Sequence, residues 1–261
     1  MLRENRLKQA LEQKRLALGI LCSVPSPLMV EMLGHAGYDF VVLDAEHVSV
    51  NPETLENMIR AAELSGTTPL VRVGSLAADG ILRALDAGAM GVVAPRVRSR
   101  EDAQALVRAA RYAPLGTRGI TGGRTTGFGS IPLPEYLKRA NEQILTVAMI
   151  EDREALEVLD EIVSVEGLDM VLEGAIDLSQ SLGIPAQVDH PRLQEAIASI
   201  AAACRRHGVP FCAIPRLPGQ VEDWARAGAA AMLLGDDRGA AFRALKAHVE
   251  TARRASEAPS R

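Results

Sequence analysis

Residues 146–183 read TVAMIEDREALEVLDEIVSVEGLDMVLEGAIDLSQSLG. Two apolar runs, TVAMI and MVLEG, each lead to a carboxylate: Glu151 closes the first and Asp177 follows the second. Between them Leu156, Leu159, Ile162 and Val163 recur at helical spacing, with acidic residues on the opposite face. A strand–helix–strand unit requires a parallel sheet, because the helix carries the chain back to the edge where it started. In such sheets functional groups collect at the carboxyl ends of the strands. Two carboxylates at neighbouring strand ends suit a hard, oxygen-preferring divalent cation. Taken singly, Glu151 also reads as a cap on the next helix and Asp177 as the start of a turn.

Working outward, the same unit recurs along the whole chain. Strand-like runs are GILC (19–22), FVVLD (40–44), PLVRV (69–73), GVVAP (91–95), TVAMIE (146–151), MVLEG (170–174), PFCAI (210–214) and AMLLG (231–235). Each is short and rich in Val, Leu or Ile, as a strand buried on both faces should be. Helical patterns separate most of them, and several stop at Gly. Eight such units within 261 residues predict an α/β fold, a (β/α)8 TIM barrel in a single domain. A doubly wound open sheet is the alternative, but no glycine-rich phosphate loop opens a helix after the first strand. The expected layout is an exposed N-terminal helix over 1–17, the barrel over 18–255 and a disordered tail over 256–261. One connection breaks the rhythm. Residues 113–145 begin glycine- and proline-rich after the fourth unit, and a loop this long is expected to be functional. It is expected to fold over the barrel mouth, with Arg118 and Arg124 placed to meet an anion; a solvated loop with incidental arginines is the other reading.

Composition narrows the function classes. Aromatic residues are 3% and the net charge is -4, which disfavours base-stacking platforms and phosphate-backbone binding, so no nucleic-acid partner is expected. The cysteines, Cys22, Cys204 and Cys212, lack metal-ligand spacing, and their odd number fits a reducing, cytoplasmic setting. The charged start of the chain has no signal-peptide character, and no apolar run is long enough to span a membrane.

Strand ends are where a barrel carries its chemistry. The second strand ends in Asp44, with Glu46 and His47 just beyond; the third carries Arg72; the following helix holds Asp86; the fifth and sixth lead to Glu151 and Asp177. Glu151 and Asp177 can hold a divalent metal that chelates a 2-oxo acid and stabilises its enolate. Arg72 can donate to the same oxygen. His47, oriented by an acidic neighbour, can move a proton. A structural histidine and a buried arginine ion pair are the alternatives. GxSxG is absent and no lysine ends a strand, which leaves neither an acyl-enzyme serine nor a Schiff base.

These residues sit in stretches that carry a resemblance. GYDFVVLDAEH, PLVRV, ALDAGAMGVVAP, RYAPLGTRG, MIEDREALEVLDEI and EGAIDLSQSLG resemble the HpcH/HpaI family of metal-dependent class II pyruvate aldolases over almost the whole chain. The resemblance implies a (β/α)8 barrel and a dimer-based homo-oligomer, usually a hexamer, with a swapped last helix. It implies metal ligation by Glu151 and Asp177, with Mg2+ expected and Mn2+ or Co2+ as alternatives. It implies Arg72 as the stabiliser of the keto or enolate oxygen and His47, paired with Asp86, in acid–base work. Asp44 and Glu46 would hold His47 and metal-bound water, and Gly174, Ala175 and Arg72 would contact substrate; for an oxo acid with an extra carboxylate, Arg124 or Arg118 in the long loop is the expected cationic partner. Three positions depart from the aldolase pattern: Met149 replaces Gln, Ala175 replaces Pro, and Glu173 stands where an apolar residue is usual. The form LEGAIDLSQSLGIP, with NPETLENMIRAAE and GDDRG, resembles the citrate synthases of staphyloferrin B-type siderophore pathways. That branch implies oxaloacetate and acetyl-CoA as substrates, whereas an ordinary aldolase would cleave a 4-hydroxy-2-oxo acid to pyruvate and an aldehyde.

Overall fold

The computed structural model describes residues 2–257. Eight parallel strands pair in sequence order, β1 (Ala17–Cys22), β2 (Phe40–Asp44), β3 (Thr68–Arg72), β4 (Gly91–Ala94), β5 (Leu145–Ile150), β6 (Met170–Glu173), β7 (Phe211–Ala213) and β8 (Ala231–Asp236). β8 closes on β1, so the sheet is a closed barrel with no free edge. The expected fold is thus observed, and every expected strand lies within about two residues of its position.

Helices ring the barrel: α2 (Pro27–His35), α3 (Pro52–Ser65), α4 (Ala78–Asp86), α5 (Arg100–Ala110), α6 (Leu133–Gln143), α7 (Arg153–Glu157), α8 (Leu159–Val163), α9 (Ala175–Ser181), α10 (Pro191–His207), α11 (Gln220–Arg226) and α12 (Asp237–Glu257). Their ends follow local chemistry. Asn51 accepts from the Thr54 amide at the start of α3, Pro52 fits the first turn, and Gly66 ends it at φ 80°. The helix expected from Leu156, Leu159, Ile162 and Val163 breaks at Val158, whose ψ of 25° separates α7 from α8.

Two cores result. The larger lies between barrel and helices. The smaller fills the lumen and includes Phe40, Val42, Leu70, Val147, Met149 and Leu233. Along each strand alternate residues enter the lumen, so the parity that places Val42, Leu70 and Met149 inside brings Asp44, Arg72 and Glu151 to its upper layer.

Three expectations need correction. The N-terminal helix, α1 (Arg6–Glu12), is not simply exposed: Leu7 and Ala10 are buried and close the lumen floor. Asn5, also buried, donates to the Met90 and Gln143 carbonyls. The long connection does not cover the mouth. It follows α5 and precedes β5, and a helix-to-strand connection belongs to the face opposite the strand carboxyl ends. Consistent with this, the Leu2 amide bonds the Thr125 carbonyl beside the barrel floor. Of the tail expected over 256–261, Ser256 and Glu257 continue α12, and residues 258–261 lie outside the described residues.

Leu7→Ala is expected to destabilise the fold by about 2–5 kcal/mol, as other buried leucine truncations do. Chemical denaturation checks this: a midpoint shift with an unchanged slope is expected, and a loss below about 0.5 kcal/mol, the size of a surface substitution, would show that α1 is not part of the core.

Candidate active site at the barrel mouth

Register brings the first functional pair together. Asp44 and Arg72 are cross-strand partners at the ends of β2 and β3. Arg72 donates from Nε to Asp44 Oδ1 at 3.1 Å and from Nη2 to Oδ2 at 2.9 Å, a bidentate fork buried at the mouth. The Glu46 and His47 amides also bond Asp44 Oδ1. Burial pushes the Asp44 carboxyl up, but the Arg72 hydrogen bonds and charge, with those amides, outweigh it and leave the group below its usual range.

Glu151 shifts the other way. It follows β5 and is 2% exposed. Its Oε1 accepts the Arg96 amide at 2.8 Å, and Arg96 holds a left-handed φ of 53° just beyond β4. Burial, and then the charges of Asp177 and Glu46 against the pull of the Arg96 amide, raise its pKa from 4.5 to about 7. Asp177 lies in the first turn of α9, half-buried, 3.6 Å from Arg96 Nη2. Glu46 Oε2 is buried without a hydrogen-bond donor; Arg72 Nε at 3.4 Å and His47 Nε2 at 3.8 Å are only within ion-pair range. His47 itself is exposed. Gly174 leaves room for this arrangement, since a Cβ there would lie 2.6 Å from Glu151 Oε2 and 2.9 Å from Met149 Cε.

His47, Arg72, Gly174, Asp177, Arg216 and Asp236 line one mouth cavity of ≈ 440 Å³, with Leu21, Val42, Leu172 and Leu233 as apolar wall. The donor set fits a hard divalent cation. Glu151 and Asp177 repel one another, Glu46 keeps an orphan oxygen, and a cation between the first two would relieve the repulsion. Among the described residues no group of three or more His, Cys, Asp or Glu side chains converges as a closed metal cage. Two carboxylates leave the remaining positions to water and ligand oxygens, as Mg2+ prefers.

Three expected residues are elsewhere. Asp86 does not orient His47 within the chain. It ends α4, at the face opposite the mouth, and pairs with Arg118 Nη2 at 2.8 Å. Arg118 is spent there, with its guanidinium 4.7 Å from the Tyr112 ring. Arg124 forks onto Glu63 at 3.0 and 2.7 Å and also donates to the Ala87 carbonyl, so within the chain it is not at the substrate cavity. Two mouth arginines escaped sequence reasoning, Arg96 and Arg216. Both follow a strand through the same signal, an apolar run, a proline and then arginine: GVVAPR and FCAIPR.

A closed parallel barrel that gathers carboxylates, arginine and histidine at its mouth has the frame of a barrel enzyme, with the chemistry set by those groups. The profile of the HpcH/HpaI aldolase/citrate lyase family matches residues 19–244, and the chain belongs to that family. The family is metal-dependent. The crystal structure of citrate synthase SbnG superposes with a TM-score of 0.90 at 41% identity, covering 97% of this chain and 99% of that one. The hydroxypyruvate/pyruvate aldolase of Sagittula stellata is 36% identical over 208 residues, 79% of this chain and 81% of its own. The 5-keto-4-deoxy-D-glucarate aldolase of Salmonella paratyphi A is 33% identical over 241 residues, 92% of this chain and 93% of its own.

Glu151 supplies a test that does not depend on turnover. Its folded pKa lies above its unfolded value, so its stabilising contribution is complete below about pH 4.5 and lost as pH rises through about 7. A shift of that size corresponds to a cost on the order of 3 kcal/mol in metal-free protein at pH 8. Glu151→Gln is therefore expected to melt higher than wild type at pH 8 in chelator. Added Mg2+ should raise the wild-type Tm and leave the variant unmoved. An equal Mg2+ response in both would remove Glu151 from the metal site.

Proposed function

We propose that the protein is a divalent-metal-dependent enzyme acting on a 2-oxo acid, and that it condenses oxaloacetate with acetyl-CoA to give citrate for siderophore assembly. The observation that carries this choice is the near full-length likeness to citrate synthase SbnG, at 41% identity against 36% and 33% for the two aldolases. Held by Glu151 and Asp177, Mg2+, or Mn2+ or Co2+ in its place, supplies Lewis acidity at the oxo-acid oxygens.

The side chains then divide the remaining work. Asp44 occupies the Nε–Nη2 edge of Arg72, which leaves Nη1 to donate to the keto oxygen as negative charge builds there. His47 removes a methyl proton from acetyl-CoA, and Glu46, 3.8 Å from its Nε2, steadies the charged ring. The resulting carbanion attacks the keto carbon. Water then cleaves the thioester, so that oxaloacetate, acetyl-CoA and water give citrate and CoA. Apolar residues such as Val42, Leu172 and Leu233 limit water around the reacting carbon.

A second reading has support from the two aldolase relatives: reversible cleavage of a 4-hydroxy-2-oxo acid to pyruvate and an aldehyde. We also place the protein in a dimer-based homo-oligomer, a hexamer in the pattern that the resemblance implies. α12 supports this, because every residue from Phe242 to Ser256 is exposed and Phe242, Leu245 and Val249 form one uncovered apolar stripe. A reducing, cytoplasmic location fits the free and buried Cys22, Cys204 and Cys212. No helix among the described residues is long and apolar enough to cross a membrane.

Oxaloacetate, acetyl-CoA and Mg2+ with a thiol reagent should give CoA release well above that of Glu151→Ala, and chelator should abolish it. No release above that background, together with pyruvate-dependent consumption of succinic semialdehyde, would select the aldolase instead. Arg72→Lys, which keeps charge beside Asp44 but loses the fork, should lower kcat by about 10²–10³, the cost of removing one oxyanion donor. Mg2+ affinity measured by calorimetry should change far less; equal losses in both would count against a role at the keto oxygen.

A further inference from the structure

We propose that Arg216 is a specificity residue that recognises a second carboxylate on the oxo acid, distal to the end held by the metal. The inference rests on the reading that the mouth binds a 2-oxo acid, and it adds which oxo acids the site prefers. Arg216 lies three residues beyond β7 and lines the mouth cavity with Arg72 and Asp177. Its Nη1 donates to Glu173 Oε1 at 2.6 Å and to the Ile214 carbonyl at 2.7 Å. Among the described residues Nε and Nη2 have no protein partner, and the guanidinium is not sealed from the cavity. The free edge is the same Nε–Nη2 fork that Arg72 gives to Asp44. A fork of two parallel N–H groups matches a carboxylate, whereas the single free nitrogen of Arg72 matches one oxygen.

Glu173 explains why this arm is rigid. Strand parity sends Met170 and Leu172 into the lumen and turns Val171 and Glu173 outward, toward the apolar layer under the helices. A buried carboxylate there requires partners. Glu173 has three: Arg216, the Ile214 amide at 2.8 Å and the Ala175 amide at 2.8 Å. The side chain is fully enclosed behind the rim, so it anchors Arg216 from the rear without competing for the cavity. The other arginine new to the mouth, Arg96, is exposed, pairs with Asp177 and does not line the cavity.

Calorimetric titration of the Mg2+-loaded protein with oxaloacetate and, separately, with pyruvate tests the proposal, because both share the 2-oxo acid head and only one carries the distal carboxylate. Wild type should favour oxaloacetate. In Arg216→Met the oxaloacetate-to-pyruvate affinity ratio should fall about 10- to 100-fold, the range for a charge-assisted hydrogen bond. That variant leaves Glu173 buried without its counter-charge and risks misfolding. The double variant Glu173→Leu/Arg216→Met removes both charges and should show the same fall, while Arg216→Lys should fall between. A ratio within threefold of wild type in the folded double variant overturns the role of Arg216. Equal wild-type affinity for the two acids overturns it as well, while leaving the oxo-acid site standing. Binding of neither acid in the presence of Mg2+ removes the oxo-acid reading and this inference with it.

Discussion

Side-chain alternation in a closed parallel barrel is the constraint on which the site depends. Each strand sends every second residue into the lumen. The lower layers are dry and apolar, with Phe40, Leu70, Val147 and Met170 among them, and Leu7 seals them from below. The same parity, continued one step past Val42, Leu70 and Met149, delivers Asp44, Arg72 and Glu151 to the layer that meets solvent. Two residues lower, any of these groups would lie in a sealed core at a cost of several kcal/mol.

Neighbours, more than depth, then set the charge state. Asp44 and Glu151 are both buried at the mouth. Asp44 receives the fork of Arg72 and falls below the ordinary carboxylate range. Glu151 receives one backbone amide, faces Asp177 and Glu46, and rises to about 7. Arg72 is committed to Asp44 and Arg216 to Glu173, while Arg96 reaches Asp177 only at 3.6 Å. Glu151 and Asp177 are thus the mouth carboxylates left short of positive charge, the pair proposed above to hold the cation.

The repeating apolar runs made the barrel legible, because strands buried on both faces need unbroken Val, Leu and Ile. The groups nearest the strand ends, Asp44, Arg72, Glu151 and Asp177, were legible for the same reason. Misreadings arose where tertiary direction mattered. The glycine-rich connection looked like a mouth loop by length, but it leaves a helix and not a strand, so Arg118 and Arg124 belong to the far face. α1 looked exposed because charged residues are interleaved with the ones that dock, Leu7, Ala10 and, in part, Leu11. Nothing local announces that a lumen floor needs a plug. Arg96 and Arg216 were missed because the strand readings ended at Pro95 and Ile214, one and two residues short of them. The mouth of a barrel includes the first residues of each loop, not only the strand ends.

Two of the three departures from the expected aldolase pattern meet at Glu173. Its Oε2 holds the Ala175 amide at the start of α9, two residues before Asp177, and its Oε1 holds Arg216 and the Ile214 amide. One buried carboxylate thus ties the segment that carries Asp177 to Arg216 in the wall of the cavity. An apolar residue at this outward position would pack equally well but would leave two amides without this acceptor and Arg216 without an anchor. Ala175, in place of proline, keeps the amide that Glu173 accepts. Where the resemblance implies an apolar residue and proline, Glu173 and Ala175 act together, the alanine keeping the amide that the glutamate accepts. Glu173 thereby holds Arg216 beside the segment that carries Asp177, where Arg216 lines the mouth cavity.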